Sequence, residues 1–184
     1  MTPPHIQCSN RKILYWELIG IVFLVCVGSL LHFTYAWSDY SPFVGLFSSV
    51  NESVWEHLKL GFTSLVIFSL IEFWFIKKDA QNFFLAKAVG ILYLQLFIVI
   101  FFYGYTFLTG TEILLVDILS YIVGCIICQL VSFRILINKK LPESWNIAGM
   151  VFLFLHAIIL MMFTFYSPEL PIIKNPHADA YGTT

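Results

Sequence analysis

Residues 88–137 read AVGILYLQLFIVIFFYGYTFLTGTEILLVDILSYIVGCIICQLVSFRILI. Two apolar runs, Ala88–Leu108 and Ile113–Ile137, are separated only by Thr109–Glu112. Each run is long enough to cross a hydrocarbon core of about 30 Å, which takes roughly 20 helical residues. Neither shows the ten-residue alternation of a barrel strand. Without water to satisfy the backbone, such a run spans only as a helix. A four-residue turn then makes the two helices antiparallel neighbours.

Working outward, three more runs of the same kind appear: Ile13–Ala36, Leu58–Ile76 and Ile147–Tyr166. The whole chain of 184 residues is 59% apolar and 11% charged, with a mean hydropathy of +0.85. Soluble domains average about 25% charged residues, so this composition excludes a soluble domain, a disordered chain and a nucleic-acid binder with a basic face. The expected fold is an all-α polytopic bundle of five transmembrane helices forming one domain. An amphipathic external loop over 37–55 and a Pro-rich external tail over 167–184 complete it.

Basic residues orient the bundle. Arg11, Lys12, Lys77, Lys78, Lys87, Arg134, Lys139 and Lys140 fall on one side, and only Lys59 and Lys174 on the other. The positive-inside bias places the N-terminus in the cytoplasm and the C-terminus outside the cell membrane. Arg11-Lys12, the first run and Thr34-Tyr35-Ala36 have the outline of a signal peptide. The run exceeds a typical h-region and carries Glu17 and His32, so it is read as a retained span.

The first external loop alternates Phe43, Val44, Leu46, Phe47 and Val50 with Ser and Gly, a pattern suited to the membrane surface. Ser49-Val50-Asn51-Glu52 fits a capping box that would start the second helix. In the fourth run, Ser120, Gly124, Cys128 and Ser132 form a small-residue stripe for close helix packing. The third run offers Gln95 among Phe and Leu and is expected to be the most lipid-facing.

Ionisable residues inside spans normally face the bundle interior. Glu17 and His32 are fifteen residues apart, as are His57 and Glu72, which is about 22 Å along a helix. On antiparallel helices this spacing sets two histidines at the outer level and two glutamates at the inner level. Asp117 lies one turn inside the outer boundary and His156 near mid-membrane. His32, Glu52, His57, Asp117 and His156 are therefore the candidate ligand-binding set. His32, His57 and Asp117 are its candidate metal ligands, because imidazole and carboxylate together suit zinc or another divalent ion. His57, Asp117 and Glu56 are the candidate catalytic groups, as general acids and bases. At the inner level, Glu17, Glu72 and Arg134 can pair as a structural anchor; the alternative is that Arg134, about 100° off the small-residue stripe, snorkels to the interface.

Other chemistries find no support. Cys125 and Cys128 form a C-x-x-C near mid-span with no cysteine in the outer loops, so they are read as structural thiols. There is no glycine-rich phosphate loop, nucleophile elbow, C-x-x-C-H or H-E-x-x-H.

The run Asn51-Glu52-Ser53-Val54-Trp55-Glu56-His57-Leu58-Lys59, His32 near the end of the first span, and a Pro-rich tail ending Tyr181-Gly182 resemble one family. It is a family of small, uncharacterised prokaryotic membrane proteins of five spans. The resemblance implies a fold and no activity. This chain differs from the family pattern at Asn175-Pro176 and at His177.

Two functional readings follow. The first is an outer-leaflet polar pocket that binds a divalent metal, or a small polar or lipid-headgroup ligand, for hydrolysis or transport. The second is a non-enzymatic accessory or scaffold protein whose buried polar residues only hold the bundle together. The partner common to both is the lipid bilayer.

Overall fold

The computed structural model describes residues 4–175 and 180–181. Helix α1 runs from Pro4 to Trp37, a short α2 from Pro42 to Gly45, and α3 from Val54 to Ile76. Then come α4, Phe83–Thr109; α5, Leu114–Leu136; and α6, Glu143–Phe165. Two short segments, β1 (Lys174–Asn175) and β2 (Ala180–Tyr181), pair antiparallel with Lys174 opposite Tyr181. All the helices except α2 are long and apolar enough to cross a membrane, so the chain is a multi-pass membrane protein.

Helices α1, α3, α4 and α5 form a ring in which α1 meets α3 and α5, while α4 meets α3 and α5. Much of its interior is apolar: Leu24, Leu65, Phe68, Ile91, Leu94 and Cys125 are all at most 1% exposed. The small-residue stripe faces inward as expected, with Ser120, Gly124, Cys128 and Ser132 all buried. A side-chain carbon at Gly90 would stand 2.9 Å from the Cys128 carbonyl oxygen, so α4 and α5 touch backbone to backbone.

Helix α6 packs outside the ring, mainly on α4. It is the most lipid-exposed span, with 17% of its apolar window buried against 50% for α4. The expectation for the third run is thus corrected. Helix α4 buries Ala86, Gly90, Ile91, Leu94, Gln95 and Ile98 while meeting three neighbouring helices, and α6 takes the lipid-facing position. Close approach of α6 depends on Gly149, where a Cβ would lie 2.6 Å from the Leu85 backbone nitrogen. Gly149→Ala is therefore expected to destabilise the protein by roughly 1–3 kcal/mol through overpacking. Gly104→Ala, with nothing within 4 Å of its Cβ position, should be neutral or slightly stabilising. Unfolding both variants in detergent checks the contrast.

The connections are stitched by side chains. At the α4–α5 turn, Gly110 adopts φ 72° and its N–H donates to the Thr106 carbonyl. On the link side, Asn82 sits at φ 53°, donates to the carbonyls of Ile135 and Lys139, and accepts from the Leu141 N–H. The Asn146 amide oxygen accepts from the N–H groups of Phe84 and Leu85, tying α6 to the start of α4. Helix α3 begins four residues later than the Ser49 capping box implied. Its N-cap is Ser53, whose hydroxyl accepts from the Glu56 N–H in a second S-x-x-E run, Ser53-Val54-Trp55-Glu56. The tail docks too, with Ile173 buried and the Trp55 N–H donating to the Ile172 carbonyl.

Candidate functional site

The ends of the bundle differ in chemistry. At one end, the last turns of α1 and the first turn of α3 bring His32 and His57 together, with ring centroids 5.2 Å apart. Glu52, in the loop just before the N-cap of α3, reaches between them. Its Oε2 lies 3.3 Å from His32 Nε2 and 3.7 Å from His57 Nε2. One ligand atom from each of these residues falls within 4.8 Å of the other two. The three side chains are 28–45% exposed, so the group opens to the surface.

Local hydrogen bonds aim this group. The Ser48 hydroxyl accepts from the Tyr35 N–H and from Thr34 Oγ1, and donates to the Leu31 carbonyl, which clamps the loop onto the end of α1. Asn51 Oδ1 accepts from the Ser53 N–H and turns the chain into α3. His57 Nδ1 is 2.9 Å from the Ser53 carbonyl oxygen. A carbonyl only accepts, so Nδ1 carries a proton and the ring turns its Nε2 toward Glu52. A metal-binding histidine is commonly oriented in this way, with its other nitrogen donating to a backbone carbonyl. Two ligand atoms on one tetrahedral ion with bonds of roughly 2.1 Å stand about 3.4 Å apart, close to the two measured separations.

The remaining candidates lie elsewhere. Asp117 accepts from the Tyr105 hydroxyl at 2.6 Å, and that oxygen also accepts from the Ile113 N–H at 3.2 Å. Asp117 thus clamps the α4–α5 turn, and among the described residues it stands outside the histidine group. Glu56 is buried against Lys59, 2.7 Å away, and its carboxylate also accepts from Thr164 Oγ1 and the Val50 N–H. Lys59 Nζ donates further to the Gly45 carbonyl and to Thr164 Oγ1. His156 sits against the rings of Phe62 and Phe152, and its buried Nε2 has no hydrogen-bond partner among the described residues. His177 and Gly182 lie outside the described residues.

At the basic end, Glu17 and Glu72 meet as the fifteen-residue spacing implied, but their cation is Lys87 and not Arg134. Lys87 Nζ stands 2.8 Å from Glu17 Oε1 and 2.5 Å from Glu72 Oε2. Ser132 Oγ donates to Glu17 Oε1 at 2.9 Å. The correction has a physical source. Lys87 shares a face with Phe83, Ile91, Leu94 and Ile98, all buried, so it enters the core along with them. Arg134 lies on the other side of α5, lining a groove with Val89, Tyr93 and Leu130. Lys59, counted as a surface charge from the sequence, is likewise buried.

Sequence reasoning missed Lys87, Thr164 and Tyr105 as polar partners. The position of Lys87 on an otherwise apolar helix face was the available signal for the first. Thr164 and Tyr105 come from distant turns and left no comparable pattern. No curated protein and no solved structure matches the chain. Over residues 6–183, however, it matches the family described as a family of unknown function (DUF6512), and the chain belongs to that family.

Proposed function

We propose that this protein lies in the cell membrane with its N-terminus cytoplasmic and its histidine end outside, where His32, Glu52 and His57 bind a divalent cation such as zinc. The orientation rests on the surface basic residues. Setting aside the buried Lys59 and Lys87 leaves seven at the basic end against Lys174 alone at the other. The observation that carries the metal reading is the His57 ring, held through Nδ1 so that Nε2 meets the Glu52 carboxylate beside His32.

Two histidines and one carboxylate make a three-ligand set that leaves a fourth position for water or substrate. A metal in that set lowers the pKa of bound water and polarises a carbonyl or phosphoryl oxygen, which suits hydrolysis of a small polar or lipid-headgroup substrate. The set's exposure equally suits capture of the ion for transport. In this reading Asp117 and Glu56 are not ligands, since Tyr105 and Lys59 already hold them. Those pairs favour the second role, holding the bundle together, for these residues.

Protein purified in mild detergent and titrated with zinc is expected to bind about one equivalent. His57→Ala and Glu52→Gln should each weaken that binding by at least the roughly 10–100-fold typical of outer-shell losses, while the far-UV circular dichroism stays unchanged. Binding below about a tenth of an equivalent in the intact protein, or full binding by both variants, would reject the metal site.

A further inference from the structure

The Glu17–Glu72–Lys87 layer carries one acid more than it has bases. Lys87 is 1% exposed, Glu17 2% and Glu72 fully buried, and all three lie within membrane-spanning helices. Lys87 Nζ already takes Glu17 Oε1 and Glu72 Oε2. It also lies 5.4 Å from the Phe83 ring centroid and 5.9 Å from that of Phe68, so the ammonium fills the centre of the ring. The other oxygens, Glu17 Oε2 and Glu72 Oε1, are buried and receive no hydrogen bond from a described donor. Both carboxyl groups converge on the same ammonium nitrogen, which sets the two acids side by side.

Among the described residues, the surroundings supply no second cation. Helix α5 presents Ser132, Cys128 and Gln129 to this layer, and Arg134 is turned away to the groove beside Tyr93. Gln129 is fully buried, and neither amide atom has a hydrogen-bond partner among the described residues. Its Nε2 occupies the space that a side chain at Gly20 would fill, beside the Phe68 ring. Gly20 and Gln129 each lie about one turn from Glu17 and Ser132, so the amide extends the polar layer toward the middle of the bundle. An uncompensated carboxylate in hydrocarbon costs many kcal/mol and is relieved by taking up a proton. Two carboxyls that cannot both ionise share one proton.

We propose that Glu17, Glu72 and Lys87 form a proton-binding site in the core of the bundle, in which the two carboxyl groups share one exchangeable proton. The protonated layer is neutral, and losing the proton leaves it with one negative charge. Exchange runs to the basic end. One turn from the layer, Ile13, Ile76, Phe83 and Leu136 form a single apolar tier, one residue from each ring helix. Beyond it opens a pocket of about 320 Å³ lined by Ser9, Asn10, Lys78, Asp79, Gln81, Leu136 and Ile137. Asp79, ion-paired to Lys12 at 2.7 Å, offers a carboxylate at the pocket wall. The tier separates a buried proton from water by about one helical turn on each helix, the arrangement of an intramembrane proton relay.

Infrared spectroscopy of the intact protein in lipid nanodiscs at neutral pH tests this. A protonated-carboxyl carbonyl band is expected, shifting when the buffer is exchanged for D2O. Glu72→Gln and Glu17→Gln, each checked for folding by circular dichroism, should each remove it. Absence of the band in the intact protein overturns the proposal without any variant. A band that ignores D2O shows a trapped proton and overturns exchange. A band that persists in both folded variants belongs to another carboxyl and overturns the assignment. None of these outcomes bears on zinc binding at the histidine end.

Discussion

Lys87→Met is expected to destabilise the folded protein by roughly 3–5 kcal/mol, the usual effect of removing one partner of a buried ion pair. The magnitude follows from what the substitution leaves behind. Glu17 and Glu72 stay buried, and Lys87 is the cation within 2.8 Å of the first and 2.5 Å of the second. The Ser132 hydroxyl would still donate to Glu17. Methionine keeps the length and apolar stem of lysine, so little of the loss comes from packing. Adding Glu17→Gln and Glu72→Gln to Lys87→Met removes the unpaired charge and should recover most of the stability. Unfolding in a denaturing detergent compares the two variants. Equal losses would mean that packing, and not charge, dominates at this layer.

The same logic gives the second large effect, at the opposite end. Lys59→Met is expected to cost about 3–5 kcal/mol, because Glu56 is 2% exposed and pairs with Lys59 at 2.7 Å. Here the unpaired carboxylate would keep two donors, Thr164 Oγ1 and the Val50 N–H, so the loss should fall at the lower end of that range. Thr164→Val is the discriminating companion. It removes one donor to Glu56 and one acceptor from Lys59 while leaving the charges paired, so it should cost only about 1–3 kcal/mol. Because Lys59 also holds the Gly45 carbonyl, Lys59→Met should loosen the loop that carries Glu52 and weaken zinc binding as well.

Much of this arrangement was readable in the residues. Five apolar runs and their connections translate directly into helices, because a bilayer allows little else. The equal fifteen-residue spacings placed His32 with His57 and Glu17 with Glu72, since helical rise is fixed and the helices are antiparallel. What could not be read was the partner of each charge. Lys59 and Lys87 look like topology signals, and only their neighbours on other helices draw them inside. Asp117 has the right depth to join the histidines. The Tyr105 hydroxyl, brought across the turn by Gly110, takes it instead. Glu52 and Glu56 share a helical face on paper. The helix starts at Val54, which leaves Glu52 in the loop and sends the two acids to different sites.

The peripheral position of α6 bears on how the protein is made. Spans enter the bilayer in chain order, and the first four long helices can close their ring, with Lys87 paired to the acids from α1 and α3, before α6 is synthesised. Lys59 and Glu56 must meanwhile wait for Thr164, which sits near the end of the last span. Arrival of α6 therefore completes the hydrogen bonding of an ion pair already inside the membrane. A chain in which α6 is not seated would leave Lys59 short of one acceptor and Glu56 short of one donor.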